Sequence, residues 1–266
     1  MPFATDNAHL VRLRGRVALV VGGSGGIGSA TVRMLHRGGA HVVLAGLPDA
    51  SLERLQRELD GSVLVVPVDV KNRAEIDRLV ARTLVHFGRL DILVNAAGVA
   101  SRPSLAEETD ADLEHVVAVN LLGCARTIQA VMPIMKAQRR GAIVVIGSVA
   151  GEIGVMGMYS ATKFGLRGLC DSVRREVRQD GVSVTLIEPG FVQTAMNPPT
   201  PRLPSPDLVA QAVTRALRRP RRTMIVPRAY VGAVFLARLL PGFMDFVVGH
   251  TAVQQHLNGN GRAHKP

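Results

Sequence analysis

In the stretch "YSATK", Tyr159 and Lys163 stand four residues apart. On a helix that spacing brings both side chains to one face. A free phenol titrates near ~10 and is a poor base at neutral pH; bringing one to ~7 takes about 4 kcal/mol of preferential phenolate stabilisation. An ammonium group ~4 Å away, in an effective dielectric of about 20, contributes that much. The pair is therefore competent for general acid/base chemistry without a metal ion. The chain holds only two tyrosines and four lysines, so chance is a poor account of this pairing.

A second chemically marked stretch, "VVGGSGGIGSATV" (20–32), reads in two registers. Gly23, Gly25 and Gly28 fit G-x-G-x-x-G, whereas Gly22, Gly26 and Gly28 fit G-x-x-x-G-x-G. Either places glycines between an apolar strand and a helix, where backbone N–H groups can meet a dinucleotide's pyrophosphate. No lysine follows Gly28, which excludes a Walker-type loop. Alone, the run also allows a plain tight strand-to-helix turn, the lesser of the two readings.

These motifs need elements to position them. Apolar runs at 16–22, 40–46, 62–70, 90–98, 141–148 and 182–190 read as strands, and 222–227 adds a further one. Amphipathic stretches at 26–38, 50–59, 73–88, roughly 110–138 and 159–177 read as helices between them. Continuous apolar strands with helical crossovers predict a doubly wound, Rossmann-type α/β fold, a parallel sheet of about seven strands covered on both faces. Ligands of such a sheet lie at the carboxyl ends of its strands.

Composition sets the limits. With 266 residues, 47% hydrophobic and 20% charged, the chain suits one large globular domain over 1–228, followed by a C-terminal apolar segment and tail over 229–266. The net charge of +11 invites a nucleic-acid reading. However, the basic residues are scattered, aromatics are only 3% and no reader motif occurs, so no nucleic-acid partner is expected. Cys124 and Cys170 lie far apart, outside any C-x-x-C spacing, and read as reduced buried thiols of a cytoplasmic protein, with no metal site. The N-terminal stretch has no apolar signal-peptide core. Arg238, Pro241 and Asp245 interrupt the apolar segment 229–249, which falls short of the ~20 residues of a spanning helix.

Taken in chain order, "NAAG" (95–98) after strand four, "VNLLG" (119–123), Ser148 at the end of strand five, "YSATK", and "PGFVQT" (189–194) resemble the short-chain dehydrogenase/reductase family, in its compact single-domain branch. The resemblance covers roughly 14–196 and selects the second glycine register, Gly22, Gly26 and Gly28, with Ser24, Gly25 and Ile27 in the same phosphate loop. It implies an NAD(P)-dependent oxidoreductase in which Tyr159 transfers the proton and Lys163 supports it and contacts the nicotinamide ribose. Ser148 would hydrogen-bond the substrate oxygen, and Asn120 would hold a water linking Lys163 to solvent. Asp69 would meet the adenine with Val70 alongside, and Asn95, Ala96, Ala97 and Gly98 would let the backbone approach the cofactor. Pro189, Gly190, Val192 and Thr194 would border the carboxamide. Val21 departs from the family's threonine, losing one hydroxyl.

Gly46 occupies the end of strand two, where an NAD enzyme places a carboxylate on the ribose 2′-hydroxyl. Asp49, beyond Pro48, is expected to lie too far along the loop. The missing acid favours NADP over NAD, although Leu47 supplies no arginine for a 2′-phosphate. Ile153, Val155, Met156, Met158, Phe191 and Met196 flank the expected reaction centre; they form either an apolar wall for a lipophilic alcohol or carbonyl substrate, or part of the core. The proline-rich stretch 197–207 is either a stiff surface connection or a loop closing over substrate. The segment 229–249 is expected to pack on the domain, cover the substrate, form a homo-oligomer interface, or lie on an anionic membrane surface. A non-catalytic cofactor-binding sensor or scaffold, and an isomerase or lyase of the same fold, stand as alternatives.

Overall fold

The computed structural model describes residues 13–59, 62–102, 104–194, 196 and 203–249. The N-terminal stretch, much of the proline-rich patch and the tail after 249 lie outside them. Seven parallel strands form one sheet in the order β3-β2-β1-β4-β5-β6-β7: β1 Val17–Val21, β2 His41–Gly46, β3 Leu64–Pro67, β4 Ile92–Asn95, β5 Gly141–Ile146, β6 Val182–Pro189 and β7 Thr223–Val226. The order reverses at β1, which pairs with both β2 and β4. The crevice above that pair is the switch point of a doubly wound sheet.

Helices cover both faces, which is why the strands are apolar throughout rather than alternating. On one face, α1 (Gly26–Arg37), α2 (Ala50–Glu58) and α8 (Asp207–Arg218) bury Leu35, Leu55 and Val213 against Val20, Leu44 and Ile187. On the other, α3 (Arg73–Phe87), α5 (Cys124–Ala137) and α7 (Gly157–Glu176) bury Leu79, Ile128, Met135 and Leu166 against Leu19, Leu93 and Leu186. Local chemistry sets the helix ends. The side chain of Asn72 accepts from the Ala74 and Glu75 N–H groups at the start of α3, and Gly88, at φ +70°, ends it.

Four features depart from or add to the sequence expectation. The single helix expected over 110–138 is α4 (Asp110–Val117), a π-helical turn at Ala118–Gly123, and then α5. Helix α8 and a short α6 (Ala150–Ile153) were not anticipated. The segment 229–249 folds as α9 (Tyr230–Leu239) and α10 (Pro241–Gly249), bent by 119° at Pro241, which cannot continue the preceding helix. Asp110–Ala137 is long and apolar enough to cross a membrane by length and composition, but Ile128, Val131 and Met135 on it belong to the core beneath the sheet.

Candidate active site

The glycine-rich loop turns directly off β1. Gly22 has φ +76°, and a Cβ there would lie 2.4 Å from the Ala97 nitrogen. A Cβ on Gly28 would lie 2.0 Å from the Gly22 carbonyl oxygen, and one on Gly26 would lie 2.9 Å from Thr194 Cγ2. Gly25 is different, its nearest neighbour being 3.5 Å away. Main-chain atoms thus demand glycine at 22 and 28; at 26 the close neighbour is the Thr194 side chain, at 23 it is Leu44 Cδ1 at 2.3 Å, and position 25, which only the first register uses, is the one left unconstrained. Helix α1 begins here with no side-chain cap and no acidic residue in its first turn. Its positive end is left open to an anion.

A cavity of about 260 Å³ opens above the ends of β1, β2 and β4. Of the expected cofactor residues, Gly22, Ser24, Gly25, Gly46, Asp69, Val70, Ala96, Ala97 and Gly98 line it. Gly46 lies close under Ser24, whose Oγ would be 3.3 Å from a Cβ at that position. Asp69 is held by its own loop: its Oδ1 accepts from the Lys71 N–H at 2.9 Å, and Lys71 Nζ lies 3.5 Å from its Oδ2. Asp49 corrects an expectation. The turn at Pro48 folds it back, so it lines the cavity while its Oδ1 caps α2 through the Leu52 N–H at 2.7 Å. Lys71 and His115 also reach the wall, with no motif to announce them. Asn95 serves the scaffold: its buried amide donates to the Cys124 carbonyl at 3.3 Å and to Thr127 Oγ1 at 3.1 Å, tying β4 to α5. Ile27 packs partly buried against the α1 side of the core.

Beside this cavity lies the Tyr159–Lys163 pair. Tyr159 and Lys163 are both buried on α7. Lys163 Nζ donates to the Ile146 carbonyl at 3.2 Å and sits 5.3 Å from the centre of the Tyr159 ring. A Cβ on Gly98 would lie 3.3 Å from Asn120 Oδ1 and 3.5 Å from Lys163 Nζ, so a side chain there would crowd the amine. The π-helical turn places Asn120 inward. Its Oδ1 accepts from the Val99 N–H at 2.8 Å, and its Nδ2 donates to the Val99 carbonyl at 2.9 Å and to Thr162 Oγ1 at 3.3 Å. Thr162 in turn donates to the Tyr159 carbonyl at 2.7 Å. Asn120 thus links the loop after β4 to α7. Ser148, half-buried, ends the β5 turn and accepts from the Ala150 N–H at 3.1 Å.

Ser101 went unread in the sequence. Its Oγ accepts from the Tyr159 N–H at 3.2 Å and donates to the Met156 carbonyl at 3.4 Å, anchoring the first turn of α7. Across the site, the Pro189 carbonyl accepts from the Val149 N–H at 2.9 Å, and the Gly190 N–H donates to the Val226 carbonyl at 2.8 Å. Tyr230 of α9 lies flush on Gly190, where a Cβ would be 2.3 Å from its ring. Val192 is buried in the core, whereas Thr194 stands over the start of α1. Ile153, Val155, Met156, Met158 and Phe191 are half-buried and Met196 is exposed, so none of the six belongs to the packed core. The Cys124 and Cys170 thiols are buried, and burial raises both pKa values, that of Cys170 to about 12.

Comparison with known proteins adds to this geometry. A family model described as short chain dehydrogenase matches residues 16–202. An uncharacterized oxidoreductase of Staphylococcus aureus (strain USA300) is 36% identical over 220 residues, covering 80% of this chain and 95% of that protein. A similar protein of Staphylococcus haemolyticus is 33% identical over 218 residues, with 79% and 94% covered. The crystal structure of gox2181 superposes with a TM-score of 0.75 at 29% identity, covering 82% of this chain and 96% of that one.

Proposed function

The chain belongs to the short-chain dehydrogenase family, an oxidoreductase family that works with a nicotinamide cofactor, and from that premise we propose that it interconverts a lipophilic alcohol and its carbonyl compound, with Tyr159 as the acid/base. The observation that carries this reading is the buried Lys163 amine, held between the Ile146 carbonyl and the Tyr159 ring, close to Gly98. A dinucleotide fits the chain's own groups. The glycine turn at 22–28 leaves no room for side chains where the backbone closes, and α1 offers an uncapped positive end to a pyrophosphate. Asp69, Val70 and the 96–98 loop would flank the adenosine half.

When bound, the nicotinamide supplies the hydride acceptor or donor. The chain's residues handle the proton and the orientation. In oxidation Tyr159 takes the hydroxyl proton and in reduction it returns it, with the Lys163 amine placed beside its ring. Ser148 orients the substrate oxygen, and Asn120 keeps the 99 loop and α7 in register. An absorbance screen over lipophilic alcohols and ketones, repeated with Tyr159→Phe, tests this. Turnover is expected to drop by about 10²–10⁴-fold in the variant, with cofactor affinity retained; undiminished activity refutes the role.

The lipophilic class rests on the half-buried wall from Ile153 to Phe191. Faster turnover of short polar ketones or sugars than of long-chain or polycyclic compounds would overturn it. For the cofactor, Gly46 at the end of β2 favours NADP, and Asp49 on the cavity wall is the group that weighs toward NAD. Comparing Kd for NADPH and NADH decides; tighter NADH binding assigns the ribose to Asp49.

The C-terminal hairpin carries a second reading. Phe235 and Phe246 are 66% and 72% exposed, with Leu239 and Phe243 between them, which suits contact with a lipid surface. Flotation with anionic vesicles should fall in the double variant Phe235→Ser, Phe243→Ser; equal flotation removes the idea.

A further inference from the structure

The net charge of +11 looks scattered along the sequence, but the fold gathers much of it at one place. All seven strands are parallel, so their N-terminal ends share one edge of the sheet, opposite the candidate active site. The four residues ahead of each strand bring two arginines to β1, one each to β2, β4 and β6, two to β5 and three to β7, ten in all. The acids of those stretches are Asp60, Asp91 and Asp180. At the carboxyl edge, the four residues after each strand hold only Lys71 and Arg228 as Lys or Arg. The cationic edge is therefore not the dinucleotide cleft.

In the middle of that edge the arginines surround a cavity of about 450 Å³, lined by Arg14, Gly15, Arg16, Arg89 and Arg140. These residues lead into β1, β4 and β5, which are neighbours in the sheet. At ~4.8 Å between strands, the arginines reach across about 10 Å. Asp91 organises one side. Its buried Oδ2 accepts from the Val17 N–H at 2.9 Å and from Arg89 Nε at 2.8 Å. Its Oδ1 takes Arg89 Nη2 at 2.5 Å and lies 3.7 Å from Arg140 Nε. One carboxylate, occupied by the chain's own donors, thus serves a cavity with four guanidinium groups. Among the described residues, the Arg14 guanidinium has no ion pair or hydrogen bond, and Arg89 Nη1 and both Arg140 Nη atoms donate to no protein acceptor.

Guanidinium forks match phosphate oxygens two at a time, and like charges converging on one cavity favour an anion among them. The lining holds no aromatic side chain on which a nucleic-acid base could stack, and a closed concavity of this size suits a compact anion better than a strand. The span of about 10 Å divides the charge between Arg14 and Arg16 on the β1 side and Arg89 and Arg140 on the β4–β5 side. We propose that this cavity binds a compact ligand carrying two phosphate groups. A soluble diphosphate and a bisphosphorylated lipid headgroup present the same chemistry, and the test separates them.

The experiment uses the full chain with NADPH present, which competes for the glycine turn, at about 150 mM salt, where diffuse surface charge is screened. By calorimetry, inorganic pyrophosphate is expected to bind at least about tenfold more tightly than orthophosphate. The double variant Arg14→Gln, Arg140→Gln should weaken pyrophosphate by about tenfold or more, with Tm and the NADPH Kd unchanged. Arg178→Gln removes an exposed charge from the same edge, ahead of β6 and outside the cavity, and should bind pyrophosphate like the wild type. Flotation with phosphatidylinositol bisphosphate vesicles that is lost in the double variant assigns the phosphates to a lipid headgroup. Flotation that the double variant leaves unchanged, with pyrophosphate binding still lost, assigns them to a soluble ligand. Undiminished pyrophosphate binding by the double variant overturns the proposal, as does an equal loss in Arg178→Gln, which would mean diffuse charge. Orthophosphate binding as tight as pyrophosphate overturns it too, as does an oligonucleotide that displaces pyrophosphate with an affinity rising with its length. No measurement here needs a substrate to turn over, so the outcome is independent of the dehydrogenase reading.

Discussion

Replacing Gly22 by alanine, with Gly25→Ala as its partner, tests the geometry of the phosphate loop. At Gly22 a side chain meets two obstacles. The backbone sits at φ +76°, where a residue with a Cβ costs ~1–2 kcal/mol. The new carbon would also stand 2.4 Å from the Ala97 nitrogen, 2.6 Å from Ala97 Cα and 2.7 Å from the Ala96 carbonyl carbon. These are main-chain atoms that no rotamer change can remove, and forcing them apart costs ~1–3 kcal/mol. The sum is about 3 kcal/mol, or roughly 6–12 °C in Tm for a chain of this size. Because Ala96 and Ala97 line the cavity, NADPH affinity should fall with it by about tenfold or more, ~1.4 kcal/mol. Gly25→Ala meets nothing nearer than 3.5 Å and should cost less than about 1 kcal/mol as a helix-cap change. Thermal unfolding and a fluorescence titration with NADPH measure both quantities. If Gly25→Ala is as damaging as Gly22→Ala, or if Gly22→Ala leaves Tm and Kd unchanged, the steric reasoning is wrong.

Other perturbations follow from the same contacts. Asn120→Leu removes three hydrogen bonds and strands the Val99 N–H and carbonyl; at ~1–3 kcal/mol for each stranded group, urea unfolding should show a loss of about 3 kcal/mol or more. Glu188 makes stability depend on pH in a defined direction. Between its ordinary 4.5 and about 9 the folded protein keeps a proton that the unfolded chain has released, so stability should fall as pH rises through that window and level off above it. Glu188→Gln should flatten that slope. Asp91 acts on the acid side. Burial alone would raise its pKa, but the Arg89 guanidinium, the Val17 N–H and Arg140 together hold it below the usual carboxylate range. Its contribution is present above the unfolded pKa and is lost as pH falls, so Asp91→Asn should lower stability at pH 7 and weaken the acid transition measured by circular dichroism.

The strand-helix alternation was legible because parallel strands covered on both faces read as unbroken apolar runs, as in "ALVV" and "ILVN". Tyr159, Lys163 and the glycines were legible because their chemistry is local: one helical turn, one tight loop. What escaped was non-local or carried no periodic signal. The apolar spacing of Leu208, Val209, Ala212, Val213 and Ala216 does encode α8, but it begins right after a proline-rich stretch that reads as loop. The π-helical turn leaves no mark on hydropathy, since one additional residue in a turn does not interrupt an apolar run. Ser101 acts across 58 residues of chain, and serine's bonding to a distant backbone N–H has no sequence signature. Nothing in the neighbours of Glu152 and Glu188 along the chain marks either as buried.

The turn at Ala118–Gly123 has a bearing on alignments. Each residue advances an α-helix by about 100°. A relative lacking one position in this stretch could form a regular helix and keep nearly the same composition, yet α4 would be rotated by roughly that angle against α5. His115, now on the cavity wall, would face elsewhere, and the seven neighbouring strands would register no difference. Here a one-residue gap is therefore a change in the lining of this cavity, and it should be weighed as such when specificity is transferred from one protein to another.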